Sequence, residues 1–128
     1  MACAQPTAPI LVVEDNADVR DAWEALLEGE GYRVVSAASG REALRWLRSS
    51  KVMPALILLD LIMPGMNGWD FRAEQSQDET LASIPVIVVS ADPLATLAKN
   101  AGVAAVLGKP TQSDALLAAV RLHCEHTW

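Results

Sequence analysis

The 128-residue sequence predicts an α/β fold, a doubly wound five-stranded parallel sheet in the order 2-1-3-4-5 with helices on both faces. Three observations predict it. The apolar runs Ile10–Val13, Ala55–Leu59, Ile84–Val89 and Val103–Leu107 are strand-length, as expected for strands covered on both faces. Segments of helical period separate them. No internal repeat or long linker breaks the alternation, so right-handed crossovers distribute the helices over both faces. The ligand crevice of such a sheet lies outside the carboxyl ends of strands 1 and 3.

The elements follow in order. After Ile10–Val13, a helix opens near Asn16, carries Val19, Trp23, Leu26 and Leu27 as one stripe, and stops at Gly29 or Gly31. Arg33–Ala37 is more polar at its start and reads as a strand near an edge. Ser39-Gly40-Arg41-Glu42 has the capping-box pattern, and Ala43, Leu44 and Leu47 supply the apolar face of the next helix. From Gly68 only Trp69 and Phe71 are bulky and apolar before the polar stretch Glu74–Thr80, which predicts a short or frayed helix. Pro93–Asn100, with Leu94, Leu97 and Ala98, predicts about two helical turns. Thr111-Gln112-Ser113-Asp114 precedes Leu116, Leu117 and Val120 of a last helix.

Composition narrows the class. The chain is 52% hydrophobic and 20% charged, a globular composition for a single domain over residues 1–128 with a flexible lead of about residues 1–8. A net charge of −6 with no Lys/Arg-rich run argues against direct nucleic-acid binding. Met1–Pro9 lacks the basic flank and apolar core of a signal peptide, and Val52–Met63, interrupted by Pro54 and Asp60, is too short to span a bilayer. A cytoplasmic protein without membrane contact is expected. Cys3 and Cys124 form no CxxC, and His123 and His126 beside Cys124 read as a surface helix end rather than a zinc site. The four Trp residues are widely spaced, and Trp23 fits a core stripe better than a stacking platform. Gly65 and Gly68 belong to neither GxxxxGK nor GxGxxG.

The chemistry sits after the strands: Glu14-Asp15 after the first, Asp60 after the third, Ser90 after the fourth and Lys109 after the fifth. Singly, each has an ordinary reading as a helix cap, a turn or a strand end. Together they converge on one edge of a parallel sheet, where three carboxylates repel one another unless a cation neutralises them. An all-oxygen set favours a hard ion such as Mg²⁺. A carboxylate beside Mg²⁺, a hydroxyl and an ammonium is equipment for phosphoryl transfer: Asp60 as nucleophile, Mg²⁺ and Lys109 neutralising oxygens, Ser90 donating a hydrogen bond.

Ile10-Leu11-Val12-Val13-Glu14-Asp15-Asn16, Leu58-Leu59-Asp60-Leu61-Ile62-Met63-Pro64-Gly65-Met66-Asn67-Gly68, Val88-Val89-Ser90-Ala91 and Leu107-Gly108-Lys109-Pro110 resemble the response-regulator receiver family. The resemblance implies a flavodoxin-like fold and a phosphorylation-dependent switch. Asp60 would accept phosphate from a sensor histidine kinase or phosphotransfer protein and pass the signal to a downstream protein target. It implies Mg²⁺ held by Asp15, Asp60 and the Ile62 backbone carbonyl, with Glu14 acting mainly through water. Lys109 would pair with the phosphoryl group, Ser90 would move toward it, and the Lys109–Pro110 bond would be cis. The chain would self-catalyse phosphorylation and dephosphorylation without turning over an external substrate, as a monomer or weak dimer. Because the last helix reaches the end near Trp128, the chain reads either as a stand-alone receiver or as part of a longer regulator or hybrid kinase.

Three positions depart from the family's pattern. Val106 stands where the family has Tyr or Phe, and Thr111 where Phe is frequent. Ile62, with Asp92 one of two positions that tune acyl-phosphate hydrolysis in the family, is apolar and predicts slow self-dephosphorylation. Val106 leaves a second reading, a non-phosphorylated pseudo-receiver that serves as a docking module. A phosphatase with an aspartyl-phosphate intermediate would need a second Asp two residues after Asp60, where Ile62 stands.

Overall fold

The computed structural model describes residues 8–63, 65–91, 103–109 and 112–125. Five parallel strands form one sheet in the order β2-β1-β3-β4-β5: β1 Ile10–Val13, β2 Val34–Ala37, β3 Leu56–Leu59, β4 Val86–Ser90 and β5 Ala105–Gly108. The predicted order is the observed one; β1 coincides with its predicted segment, and the other four strands differ from theirs by one or two residues at their ends.

Side-chain alternation along each strand builds two cores. Leu11, Val13, Ile57, Leu59, Val86 and Val88 pack on one side of the sheet with Leu44 and Leu47 of helix α2 (Gly40–Ser49) and Phe71 of helix α3 (Gly68–Gln77). Ile10, Val12, Leu56, Leu58, Ile87 and Val89 pack on the other with Trp23 and Leu27 of helix α1 (Ala17–Gly29) and Leu116 and Val120 of helix α5 (Ser113–Glu125).

Local chemistry sets the helix boundaries. The Asn16 side chain accepts hydrogen bonds from the N–H groups of Asp18 (2.9 Å) and Val19 (3.1 Å), satisfying donors a helix start leaves open. Gly31, at φ 92°, then turns the chain out of α1. Ser39 accepts from the Glu42 N–H at 3.1 Å, while the Glu42 carboxylate accepts from the Ala38 N–H at 3.3 Å, a capping box reaching one residue further back than usual.

Two elements differ from the sequence expectation. Helix α3 is not short; it runs ten residues, Gly68–Gln77. Its second anchor is polar: Gln75 is fully buried, and its amide donates to the carbonyls of Leu81 (2.9 Å) and Ile84 (3.2 Å). Those bonds tie α3 to α4, a single turn over Glu79–Ala82 within what reads as a featureless polar stretch. Strand β5 is not sealed on both faces; Ala105, Val106 and Leu107 are only partly covered, and β5 forms the edge opposite β2. The expected helix Pro93–Asn100, Pro110, Thr111 and the leading segment before Ala8 lie outside the described residues. Among the described residues no helix is long and apolar enough to cross a membrane.

Candidate functional site

The same alternation that sorts the cores aims the polar residues at the carboxyl ends of the strands. Continuing Ile10-Val12, Leu56-Leu58 and Ala105-Leu107 by one more step gives Glu14, Asp60 and Lys109, which therefore share the α1/α5 side of the sheet. Ser90 instead continues Val86-Val88 and belongs to the α2/α3 side. The register aligns Val13 with Leu59 and Leu59 with Val88, so β4 and β5, paired at Ser90 and Gly108, run two residues past the ends of β1 and β3 at the same edge.

Glu14 and Asp60 are almost completely buried, at 1% and 3% exposure, whereas Asp15 is exposed. Carboxylate oxygens of the three lie within 4.8 Å of one another, the one metal-compatible acidic group among the described residues. Lys109 bridges two of them: its ammonium donates to Glu14 Oε1 and, at 3.0 Å, to Asp60 Oδ2. The Ile62 N–H donates to Asp60 Oδ1 at 3.1 Å, so each oxygen of this carboxylate has its own partner. The Ile62 side chain points outward, 56% exposed beside the site.

The frame around these groups is built from backbone. The Asp60 N–H donates to the Val13 carbonyl (3.1 Å), and the Glu14 N–H to the Ala37 carbonyl (3.1 Å). Glu14 Oε2 accepts from the Asn16 N–H at 3.0 Å, and Arg20 donates to the Glu14 carbonyl at 2.8 Å. The Lys109 N–H donates to the Ser90 carbonyl at 3.1 Å, tying two predicted site residues to one rung. Helix α3 closes on the Asp60 turn through Gly68, where an added Cβ would lie 2.6 Å from the Leu61 Cα and 2.8 Å from the Asp60 carbonyl oxygen.

Electrostatics follow from burial. Desolvation raises the Glu14 carboxyl above its usual range, and the Lys109 hydrogen bond only partly offsets it. For Lys109, burial pulls the pKa down, but the hydrogen bonds to Glu14 and Asp60 outweigh it and hold the ammonium above its ordinary value.

Sequence reasoning brought Glu14, Asp15, Asp60, Ser90 and Lys109 to one edge, where the structure has them. It missed two neighbours. Arg20 anchors the first acidic turn from within α1. The Trp23 ring lies 5.5 Å, centroid to Nζ, from the Lys109 ammonium. Trp23 was legible as a core residue, and the alternation of β5 could have placed Lys109 on its side.

The 2-1-3-4-5 sheet thus gathers three carboxylates and a lysine at its carboxyl edge, where open α/β sheets place their chemistry. The response regulator receiver domain family matches residues 10–121. Protein PilH of Pseudomonas aeruginosa is 32% identical over 113 residues, covering 86% of this chain and 92% of PilH. The alkaline phosphatase synthesis transcriptional regulatory protein SphR of Synechococcus elongatus is 41% identical over 96 residues, 69% of this chain but only 36% of SphR. The crystal structure of a response regulator receiver protein from Pseudomonas putida superimposes with a TM-score of 0.82 at 33% identity, covering 92% of this chain and 97% of that one. The chain belongs to the response regulator receiver domain family, the signalling modules of two-component systems, which do not turn over external substrates.

Proposed function

We propose that the chain is a phosphorylation-dependent switch that accepts a phosphoryl group on Asp60 from a phosphohistidine of a sensor histidine kinase or phosphotransfer protein and then acts on a downstream protein. The observation that carries this reading is the Lys109 ammonium shared by Asp60 and Glu14 inside a three-carboxylate cluster. A buried carboxylate pair held by one lysine still carries net negative charge, and the all-oxygen donor set suits a hard divalent cation.

Asp15 and Asp60, with the Ile62 carbonyl, would hold Mg²⁺, and Glu14 would act mainly through water. The bound ion supplies charge neutralisation for the incoming phosphoryl oxygens. An Asp60 oxygen forms the new P–O bond as the histidine N–P bond breaks and the imidazole leaves with the electron pair. Lys109 exchanges a carboxylate contact for a phosphoryl oxygen, and the Ser90 hydroxyl donates to another. The Ile62 N–H keeps the second Asp60 oxygen oriented.

The exposed Ile62 side chain offers no group to orient an attacking water, which supports slow hydrolysis of the acyl phosphate. If Ile62→Asn leaves the decay rate of phospho-Asp60 unchanged, that part of the reading is wrong. The main test is intact mass after incubation with acetyl phosphate and Mg²⁺. One phosphoryl gain, lost in Asp60→Asn, is expected. No gain with or without metal points instead to the docking-module reading that Val106 suggests.

A further inference from the structure

We propose that Trp23 is a positioning residue for Lys109: its indole face is a fixed seat from which the ammonium serves the phosphorylation site. The inference rests on the reading of Asp60 as phosphoacceptor and adds a residue from helix α1 to its machinery.

The placement follows from the strand. Ala105 and Leu107 pack into the cluster that contains Trp23, and Lys109 is the next residue on that side of β5. Trp23 is 8% exposed, and its ring centroid is 5.5 Å from the Lys109 ammonium, inside the range of about 6 Å over which a cation feels the quadrupole of an aromatic face. Trp has the strongest such face among the side chains, and partial burial strengthens the attraction by removing competing water.

Among the described residues the ammonium has three neighbours: Glu14, Asp60 and the indole. Two of the three are carboxylates, and a cation or a phosphoryl group entering the cluster competes directly for both. The indole has no lone pair to offer a metal and no charge to repel a phosphoryl group. Of these three it is the one that stays the same before and after transfer. A lysine stem has four rotatable bonds, and without that seat the ammonium would have to be re-ordered when its carboxylate partners are drawn away. Burial of Trp23 in the α1/α5 core fixes the seat in turn.

The test compares the wild type with Trp23→Leu, which keeps apolar bulk but removes the aromatic face, and Trp23→Phe, which keeps a weaker face. In the metal-free wild-type protein the ring current of Trp23 should move the Lys109 ε-methylene NMR signals upfield. That shift should vanish in Trp23→Leu and persist in reduced form in Trp23→Phe. The rate of phosphoryl incorporation from acetyl phosphate with Mg²⁺ should fall about threefold to tenfold in Trp23→Leu, with Trp23→Phe in between. Thermal melts of each variant separate this effect from lost packing. Unshifted Lys109 methylene signals in the wild type overturn the proposal, as does a folded Trp23→Leu variant with the wild-type rate. So do equal losses in Leu and Phe, which mark a packing role. If Trp23→Leu does not fold, the wild-type shift and the Trp23→Phe rate decide. A wild-type chain that takes up no phosphate removes the Asp60 reading, and the methylene shift still decides whether Trp23 seats Lys109.

Discussion

Strands β1 and β3 run through the middle of the sheet with every residue sealed from solvent, whereas β5 runs along its edge with Ala105, Val106 and Leu107 only partly covered. Each delivers a charged residue to the same site: Glu14 and Asp60 from the centre, Lys109 from the rim. The carboxylates inherit the rigidity of the core beneath them, and their backbone N–H groups are locked into the ladder at Ala37 and Val13. The ammonium arrives on a long stem at the end of an edge strand. The site therefore pairs anionic groups fixed by the core with a cation carried on a long stem from the rim.

The contrast can be broken at the centre first. Leu58→Ala should cost about 2–5 kcal/mol, because a fully buried side chain leaves a cavity under the Asp60 strand end. Urea unfolding at constant m-value would measure it, and a loss below about 1 kcal/mol would contradict the picture of a rigid centre.

Removing the cation is the next largest change. In chelator, Lys109→Met should destabilise by about 1–3 kcal/mol, since Glu14 and Asp60 keep their burial and lose their shared counter-charge. Adding Mg²⁺ should recover more stability in this variant than in the wild type, read as the Tm difference with and without metal.

On the edge itself, Val106→Ala should cost only about 0.5–1.5 kcal/mol, because the side chain is already partly solvated. A penalty as large as that of Leu58→Ala would erase the distinction between centre and rim.

The smallest effect has the opposite sign. Burial raises the Glu14 carboxyl above its unfolded value of 4.5, so the folded state favours the protonated form and ionisation costs stability. Metal-free Glu14→Gln should therefore melt slightly higher than the wild type at neutral pH. The gap should grow as pH rises through the raised pKa and close as pH falls below about 4.5, where Glu14 is neutral in both states. A Tm series in chelator from pH 4 to 8 would check it.

Much of this is legible in the sequence. Four apolar runs of strand length and the more polar segment Arg33–Ala37 mark the five strands, and the polar residues placed after the apolar runs converge on one edge because a parallel sheet has only one carboxyl edge. A helix from Gly68 was legible but its full length was not, since periodicity counts apolar residues and the second buried anchor of α3 is the amide of Gln75, satisfied by two carbonyls that follow it in the chain. The half-covered state of β5 does not show in its composition, since Val103–Leu107 is as apolar as a central run; only the predicted order 2-1-3-4-5 marks it as an edge. The approach of Trp23 to Lys109 joins residues far apart in sequence, and neither residue type announces the other.

A carboxylate in water has two equivalent oxygens, exchanged by a half-turn about the bond that carries them. Asp60 has lost that equivalence: Oδ1 faces a peptide N–H and Oδ2 an ammonium. One oxygen is tethered to the backbone of its own turn, the other to a side chain that can leave. The residue is thus no longer a symmetric base but a directional one, with one oxygen that cannot turn away and one whose partner can be exchanged.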